Sequence, residues 1–269
     1  MNIICRNFFR LIKAGAFYEY EQLEPMSVFK WNSLLTILNK HRALTLAEKA
    51  LEDSQFDTSL LPRVFTDKVG EMSEAAPGID FGLSHLANTF LDKRLDCIRS
   101  GELHAIDTST ETIEMLDILV FNIHALFTTG ITFGFIVSIG QYLRYKGEKV
   151  DFVKLDNWLS RLHLRQIAQF EGSILITTLD FDQNEIPFVK QVEPSSFQMA
   201  YASLDSSIND MALENLVLTQ SALGIVTPGN PRAILHNLSH CMKFFRFAPI
   251  ETTSIFLSNI SNSLAKIDE

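Results

Sequence analysis

The chain has 269 residues, 46% of them apolar, and a net charge of −9 from 23 basic and 32 acidic side chains. That much apolar material can build one sizeable core, and an acidic body is a poor match for nonspecific nucleic-acid binding, which depends on neutralising phosphates. The first fifty residues run the other way, with seven Lys and Arg against four acids, but this excess is too small to reverse the exclusion.

Cys5, Cys97 and Cys241 are odd in number and far apart, and none sits in a CxxC pair. They imply no disulfide framework and fit a reducing compartment. Arg6, Arg10 and Lys13 interrupt the first apolar stretch, so no signal peptide is expected and the expected location is the cytoplasm.

Taken in chain order, Asn7 to Phe17 reads as an amphipathic helix with Phe8, Leu11 and Ile12 on its apolar face. Ser27 is the N-cap expected for a second helix, whose stripe runs through Phe29, Trp31, Leu34, Leu35 and Leu38. A third helix spans about Leu44 to Glu52. Asp53 to Leu60 reads as loop, Arg63 to Ala75 as a short helix, and Pro77-Gly78 as a stop. Ile79 to Arg99 is predicted helical, with Gly101 as its C′ residue.

The organising stretch is Ile118 to Gly140, the most apolar run of the chain. Its length would span a bilayer. Against that stand Asp117 and His124, ionisable groups that cost roughly 2.5–3.5 kcal/mol at membrane depth, and the Thr128-Thr129-Gly130 break at its centre. The expectation is a buried helical hairpin, entered through a capping box between Thr108 and Glu111. No membrane partner is expected.

Gly147 closes the second arm, and Asp151 caps a helix carrying Phe152, Leu155, Trp158, Leu159 and Leu162. Another helix is predicted from Leu164 to about Leu179. Ser195 to Leu223 is predicted helical, with an interruption near Asp205-Ser206-Ser207. Thr227-Pro228-Gly229-Asn230-Pro231 reads as a hinge, followed by helices from Arg232 to Phe247 and from Pro249 to Ile267, the latter with proline at N1. No strand alternation is convincing. The class is all-α, an irregular bundle of about ten helices around the central buried hairpin. The organisation expected is a main body, 1–226, with a C-terminal helical pair, 227–269, packed on it as one domain overall.

Chemistry is thinly represented. His236 and His240 lie four apart on one helix and would share a face toward a metal, but no glutamate follows His236 and no third ligand is evident. Gly172-Ser173 followed by Asp180-Phe181-Asp182 has the residue types of a nucleotidyltransferase turn and its magnesium-binding Asp-x-Asp. Six residues between Ser173 and Asp180 are too few for strand, turn and strand, so Asp180 and Asp182 read as a helix end. His124 reads as a core histidine, and Glu111, Glu114 and Asp117 as a solvated acidic strip. No P-loop, GxSxG, HExxH or GxGxxG is present. No catalytic residue, cofactor or metal is expected.

Three blocks carry a resemblance: Phe8-Phe9-Arg10-Leu11-Ile12-Lys13-Ala14-Gly15, Asn122-Ile123-His124-Ala125-Leu126-Phe127 with Gly130-Ile131, and Phe244-Phe245-Arg246-Phe247-Ala248-Pro249-Ile250-Glu251. With Leu159 to Leu179, their order and spacing resemble the helical parts of a bacterial family of uncharacterised nucleotidyltransferase-like proteins. That family places its catalytic core, with a Lys-Gly turn and an Asp-x-Asp pair, where residues 51–107 stand here, and those residues contain neither feature. The resemblance implies a relative that kept the helical body without the catalytic core. The function expected is non-catalytic, structural or binding a protein partner or a second copy; the alternative is nucleotide binding or nucleotidyl transfer at a rearranged site.

Overall fold

The computed structural model describes residues 2–53, 55–59, 61–75, 81, 84–207 and 243–265, the last seven by backbone alone. Among the described residues the fold is all-α, with no strand or sheet. The helices are α1 (Ile3–Phe17), α2 (Val28–Lys40), α3 (Leu44–Glu52), α4 (Arg63–Glu74), α5 (Thr89–Leu103), α6 (Thr110–Thr128), α7 (Phe133–Lys146), α8 (Phe152–Arg161) and α9 (Arg165–Thr178). Residues 196–207 are helical and are labelled α10, and α11 is Pro249–Ala265. Two 3₁₀ turns, Gly147–Lys149 and Gln183–Glu185, join α7 to α8 and follow α9.

The hairpin forms as its residues dictate. α6 ends at Thr128, the amides of Thr129 and Gly130 return to the carbonyls of Ala125 and Leu126 at 2.7 and 3.2 Å, and Gly130 takes φ 89°. Asn122 Nδ2 donates to the Phe135 carbonyl across the arms at 3.1 Å, and Phe121 meets Phe135 edge-on at 5.2 Å. The apolar run is therefore two packed helices, and no helix among the described residues is long and apolar enough to cross a membrane.

α1 lies under this hairpin, almost wholly buried, because its polar core residues are satisfied. Asn7 donates to the Glu24 carbonyl at 2.8 Å and accepts from the Glu24 amide at 2.9 Å. Glu24 also holds Arg6 and Arg10, so the extended stretch after α1 is strapped back along it. The two arginines keep the Glu24 carboxyl down at about 2. α1 crosses α3 so closely that a Cβ on Gly15 would lie 1.8 Å from the Leu46 carbonyl oxygen.

Several expected boundaries hold. α3, α8 and α9 lie where their periodicity puts them. Asp151 accepts from the amides of Val153 and Lys154, capping α8, and Pro249 is the first residue of α11. Others are corrected. α5 begins at Thr89, capped by Asn88, and continues through Gly101 to Leu103. Its start is set from the far end of the chain: the buried Glu251 carboxylate accepts the amides of Ala87 and Asn88. The predicted capping box at α6 is absent, because Thr108 donates to the carbonyls of Glu102 and Ala105 and Ser109 is the N-cap. Phe29, predicted on the apolar stripe of α2, is 76% exposed while Trp31, Leu34, Leu35 and Leu38 are buried. α10 continues through Asp205 to Ser207 without interruption. Pro77-Gly78, the hinge at 227–231 and the 226/227 boundary lie outside the described residues.

Candidate functional site

Where the hairpin turns, a cleft of about 760 Å³ opens on its outer side. Four stretches distant in sequence line it: Lys40-His41 at the end of α2, Thr129 to Thr132 at the turn, one side of α10 with Ser195 before it, and 243–246 before α11. α10 gives it Ser195, Gln198, Met199, Ala202, Ser203 and Ser206, at spacings of three and four that mark one helical face. On the opposite face Ala200 and Leu204 are buried, while the buried Ser207 also lines the cleft.

The hydroxyls here are already donating. Thr132 gives its proton to the Gly130 carbonyl at 3.2 Å and Ser203 to the Ile131 carbonyl at 3.0 Å. Ser206 and Ser207 both point to the Ser203 carbonyl, at 3.0 and 2.8 Å. A hydroxyl has one proton and two lone pairs, so toward the cleft these oxygens act as acceptors. His41 forms part of the lining although it is 2% exposed, set edge-on against Phe8 and tilted against Phe133. Its Nε2 lies 3.3 Å from Ser207 Oγ. With the Ser207 proton directed elsewhere, an Nε2–H tautomer of His41 would donate to Ser207 Oγ and leave the buried Nδ1 without a hydrogen bond. Burial, then repulsion from Lys40, lowers its pKa to about 3, so it stays neutral at ordinary pH.

Lys40, Lys243 and Arg246 line the cleft, and Arg246 is ion-paired with Glu193 at 2.5 Å. Arg246 is oriented by Glu193 and Ser195, and its guanidinium lies over the Phe247 ring, 4.4 Å from the centroid. Sequence reasoning missed this site. The only local trace was the three- and four-residue recurrence of small polar residues in α10.

The residues singled out from sequence do not converge. Asp180 follows α9 in a left-handed conformation (φ 56°) and ion-pairs with the largely buried Lys13. Asp182 caps the 3₁₀ turn in a capping box with Glu185, accepting from one end as Glu185 accepts the Asp182 amide at 2.8 Å. Ser173 lies inside α9, donating to Gln169 and accepting the Glu193 amide, and a Cβ on Gly172 would lie 2.4 Å from Val189 Cγ2. Gly172-Ser173 is thus a packing feature and not a turn. His236 and His240 lie outside the described residues. Among the described residues, no group of three or more His, Cys, Asp or Glu is placed to hold a metal.

His124 is exposed, correcting the expectation of a core histidine. The acidic strip has basic partners. Glu114 pairs with Lys146 at 2.6 Å, and Asp117 accepts from Arg99 Nε at 2.9 Å in a mostly buried pair that ties α5 to α6. Burial raises the Asp117 pKa in spite of Arg99. Sequence reasoning also passed over Glu171, which is fully buried in α9 with neither carboxyl oxygen hydrogen-bonded. Burial pushes it well above the usual carboxylate range.

A second surface feature lies at the other end of the hairpin. Lys154 joins Glu102 at 2.9 Å to the Asp107 carbonyl at 2.6 Å, clasping α8 to the α5–α6 connection. Beside this clasp Ile106 is fully exposed, Val153 is 83% exposed and Leu103 is 63% exposed. Comparison with known proteins adds no relative: no family model, no curated protein and no solved structure matches the chain.

Proposed function

We propose that this is a non-catalytic helical protein that works by binding another protein or a second copy of itself. The observation that carries the reading is the apolar corner formed by Leu103, Ile106 and Val153 beside the Lys154–Glu102–Asp107 cluster. Exposed apolar side chains bordered by charge are the composition of a protein–protein contact, an apolar centre with a polar rim. On this reading the chain is a relative of the nucleotidyltransferase-like proteins that kept their helical body, with helices α4 and α5 standing where their core would be. The cytoplasm is the matching compartment, with free Cys5 and Cys97 in support.

The rival is a nucleotide-binding or nucleotidyl-transferring protein. Magnesium chemistry would need Asp180 and Asp182 to turn toward one ion, whereas each is engaged with a different partner. Light scattering after gel filtration, across a range of protein concentrations and with Ile106→Asp and Val153→Asp beside the wild type, tests the proposal. A wild-type assembly, with itself or with a co-purified protein, that both variants lose is the expected result. A thermal-shift screen with ATP, GTP, CTP and UTP plus magnesium tests the rival, since a ligand at 100 times its Kd adds about 2.7 kcal/mol. Nucleotide stabilisation that Asp180→Asn with Asp182→Asn eliminates would replace the binding role with the enzymatic one.

A further inference from the structure

We infer that the groove between α6 and α7 binds a neutral aromatic molecule whose polar groups are hydrogen-bond donors, at a site that shares no residue with the Leu103–Ile106–Val153 corner. Its volume, about 530 Å³, falls within the roughly 300–1,000 Å³ of small-molecule sites. α6 lines it with Glu114, Asp117 and Ile118, and α7 with Ser138, Gln141, Tyr142 and Tyr145. Both sets recur at three and four residues, so each is one helical face and the groove follows from the hairpin itself. Phe81 completes the lining, set edge-on against Phe121 at 5.2 Å, which meets Phe135 of α7 in the same way.

The body of the ligand is set by the rings. Tyr142 is fixed through its hydroxyl, which reaches the Glu111 carbonyl and Glu114 Oε2, each at 2.9 Å. Tyr145 is 87% exposed, and a bound ring would cover it, as aromatic side chains favour aromatic neighbours. The polar groups are defined by the capacity they have left. Ser138 has given its proton to the Phe135 carbonyl at 2.6 Å. Glu114 takes Lys146 and the Tyr142 hydroxyl on Oε2, and Asp117 takes Arg99 on Oδ1. Ser138 Oγ, Glu114 Oε1 and Asp117 Oδ2 therefore keep free lone pairs among the described residues. The two carboxylate charges are balanced within the protein by Lys146 and Arg99, so the groove calls for donors and not for a cation. A carboxylate oxygen accepts N–H or O–H bonds more strongly than a neutral acceptor does. Water alone would serve these oxygens and leave the rings wet, and a plain hydrocarbon would cover the rings and strand the oxygens. A flat ring bearing N–H or O–H groups satisfies both.

Equilibrium dialysis of the full-length protein against dihydroxynaphthalene, its dimethyl ether and naphthylmethylammonium is the test. The diol carries O–H donors on a neutral aromatic body, the ether is the same body without donors, and the ammonium is that body with a positive charge. The diol should bind saturably at one site, at least about tenfold more tightly than the ether or the ammonium, and change by no more than about twofold between low and high salt. Tyr145→Ala and Glu114→Ala, both at exposed positions, should each weaken it about five- to tenfold while the melting curve stays cooperative. Ile106→Asp should leave probe binding intact, so failure of the partner contact and failure of this site are read separately. No saturable binding, equal or tighter binding of the ether or the ammonium, a strong salt dependence, or binding that either groove variant leaves intact would each overturn the inference.

Discussion

Glu171 and His41 are buried ionisable residues whose cost depends on pH, and their effects oppose each other. The Glu171 pKa is raised in the folded state, so its neutral form folds without a charge penalty below pH about 4.5 and stability is lost as pH rises above that value. His41 is the reverse: its folded pKa of about 3 lies below the ordinary 6.5, so stability is present above pH 6.5 and lost as pH falls toward 3. Each slope is about 1.4 kcal/mol per pH unit. Above pH 4.5, and below both 6.5 and the raised Glu171 pKa, the two slopes oppose each other. Glu171→Gln should therefore leave stability at pH 4 little changed, raise it at pH 7, and expose a His41 slope below 6.5. His41→Gln should remove the decline on the acid side and leave the Glu171 decline above pH 4.5. Denaturant midpoints from pH 4 to 8 measure both. A wild-type profile superimposable on that of Glu171→Gln would mean that the carboxyl titrates normally.

At the scale of elements, two glycines set the helix geometry for different reasons. Gly130 has φ 89°, a backbone conformation that a β-branched residue adopts only under strain. Gly130→Val should cost more than about 1 kcal/mol of unfolding free energy, and an unchanged melting temperature would show that the turn tolerates a side chain there. Gly15 lies in ordinary helix, and what it needs is space. A Cβ at Gly15 would meet the Leu46 carbonyl oxygen at 1.8 Å, backbone against backbone, so α1 and α3 must separate to admit it. Gly15→Ala should cost about 3 kcal/mol or more, the upper range for overpacking, although alanine favours helix over glycine by about 1 kcal/mol. A gain in stability would show that the crossing is loose. The first glycine was legible in the sequence, because Thr-Thr-Gly interrupts an apolar run. The second was not, since its constraint comes from a helix thirty residues away.

For the whole molecule, the question is whether the stretch after residue 243 folds with the rest. Phe244 and Phe247 pack on Phe170 of α9 with centroids 5.8 and 4.7 Å apart, Phe244 reaches Phe127 at the hairpin, and Glu251 caps the start of α5. These contacts tie the stretch from Phe244 to Glu251, which leads into α11, to α9, α6 and α5, as expected of one cooperative unit. Phe247→Ala should lower the stability of the single transition by about 3–5 kcal/mol, the usual cost for a buried phenylalanine. A second, earlier transition by calorimetry would instead mark the C-terminal helix as a unit of its own.

The all-α class, the hairpin, the Asp151 cap and the Pro249 start follow from signals contained within a few residues: a 3.6-residue apolar period, an N-cap, a proline, a glycine at a turn. Those signals are local because helix hydrogen bonds join residues four apart, so no distant partner is needed to read them. Everything that depends on which helix meets which was decided by the tertiary structure. The α5 start waits on Glu251, the burial of Trp31 beside an exposed Phe29 on which helices pack against α2, and the pairing of Asp180 on Lys13 of α1. The cleft itself gathers residues 40–41, 129–132, 195–206 and 243–246. Its lining belongs to no single segment and exists only because packing brings those side chains together.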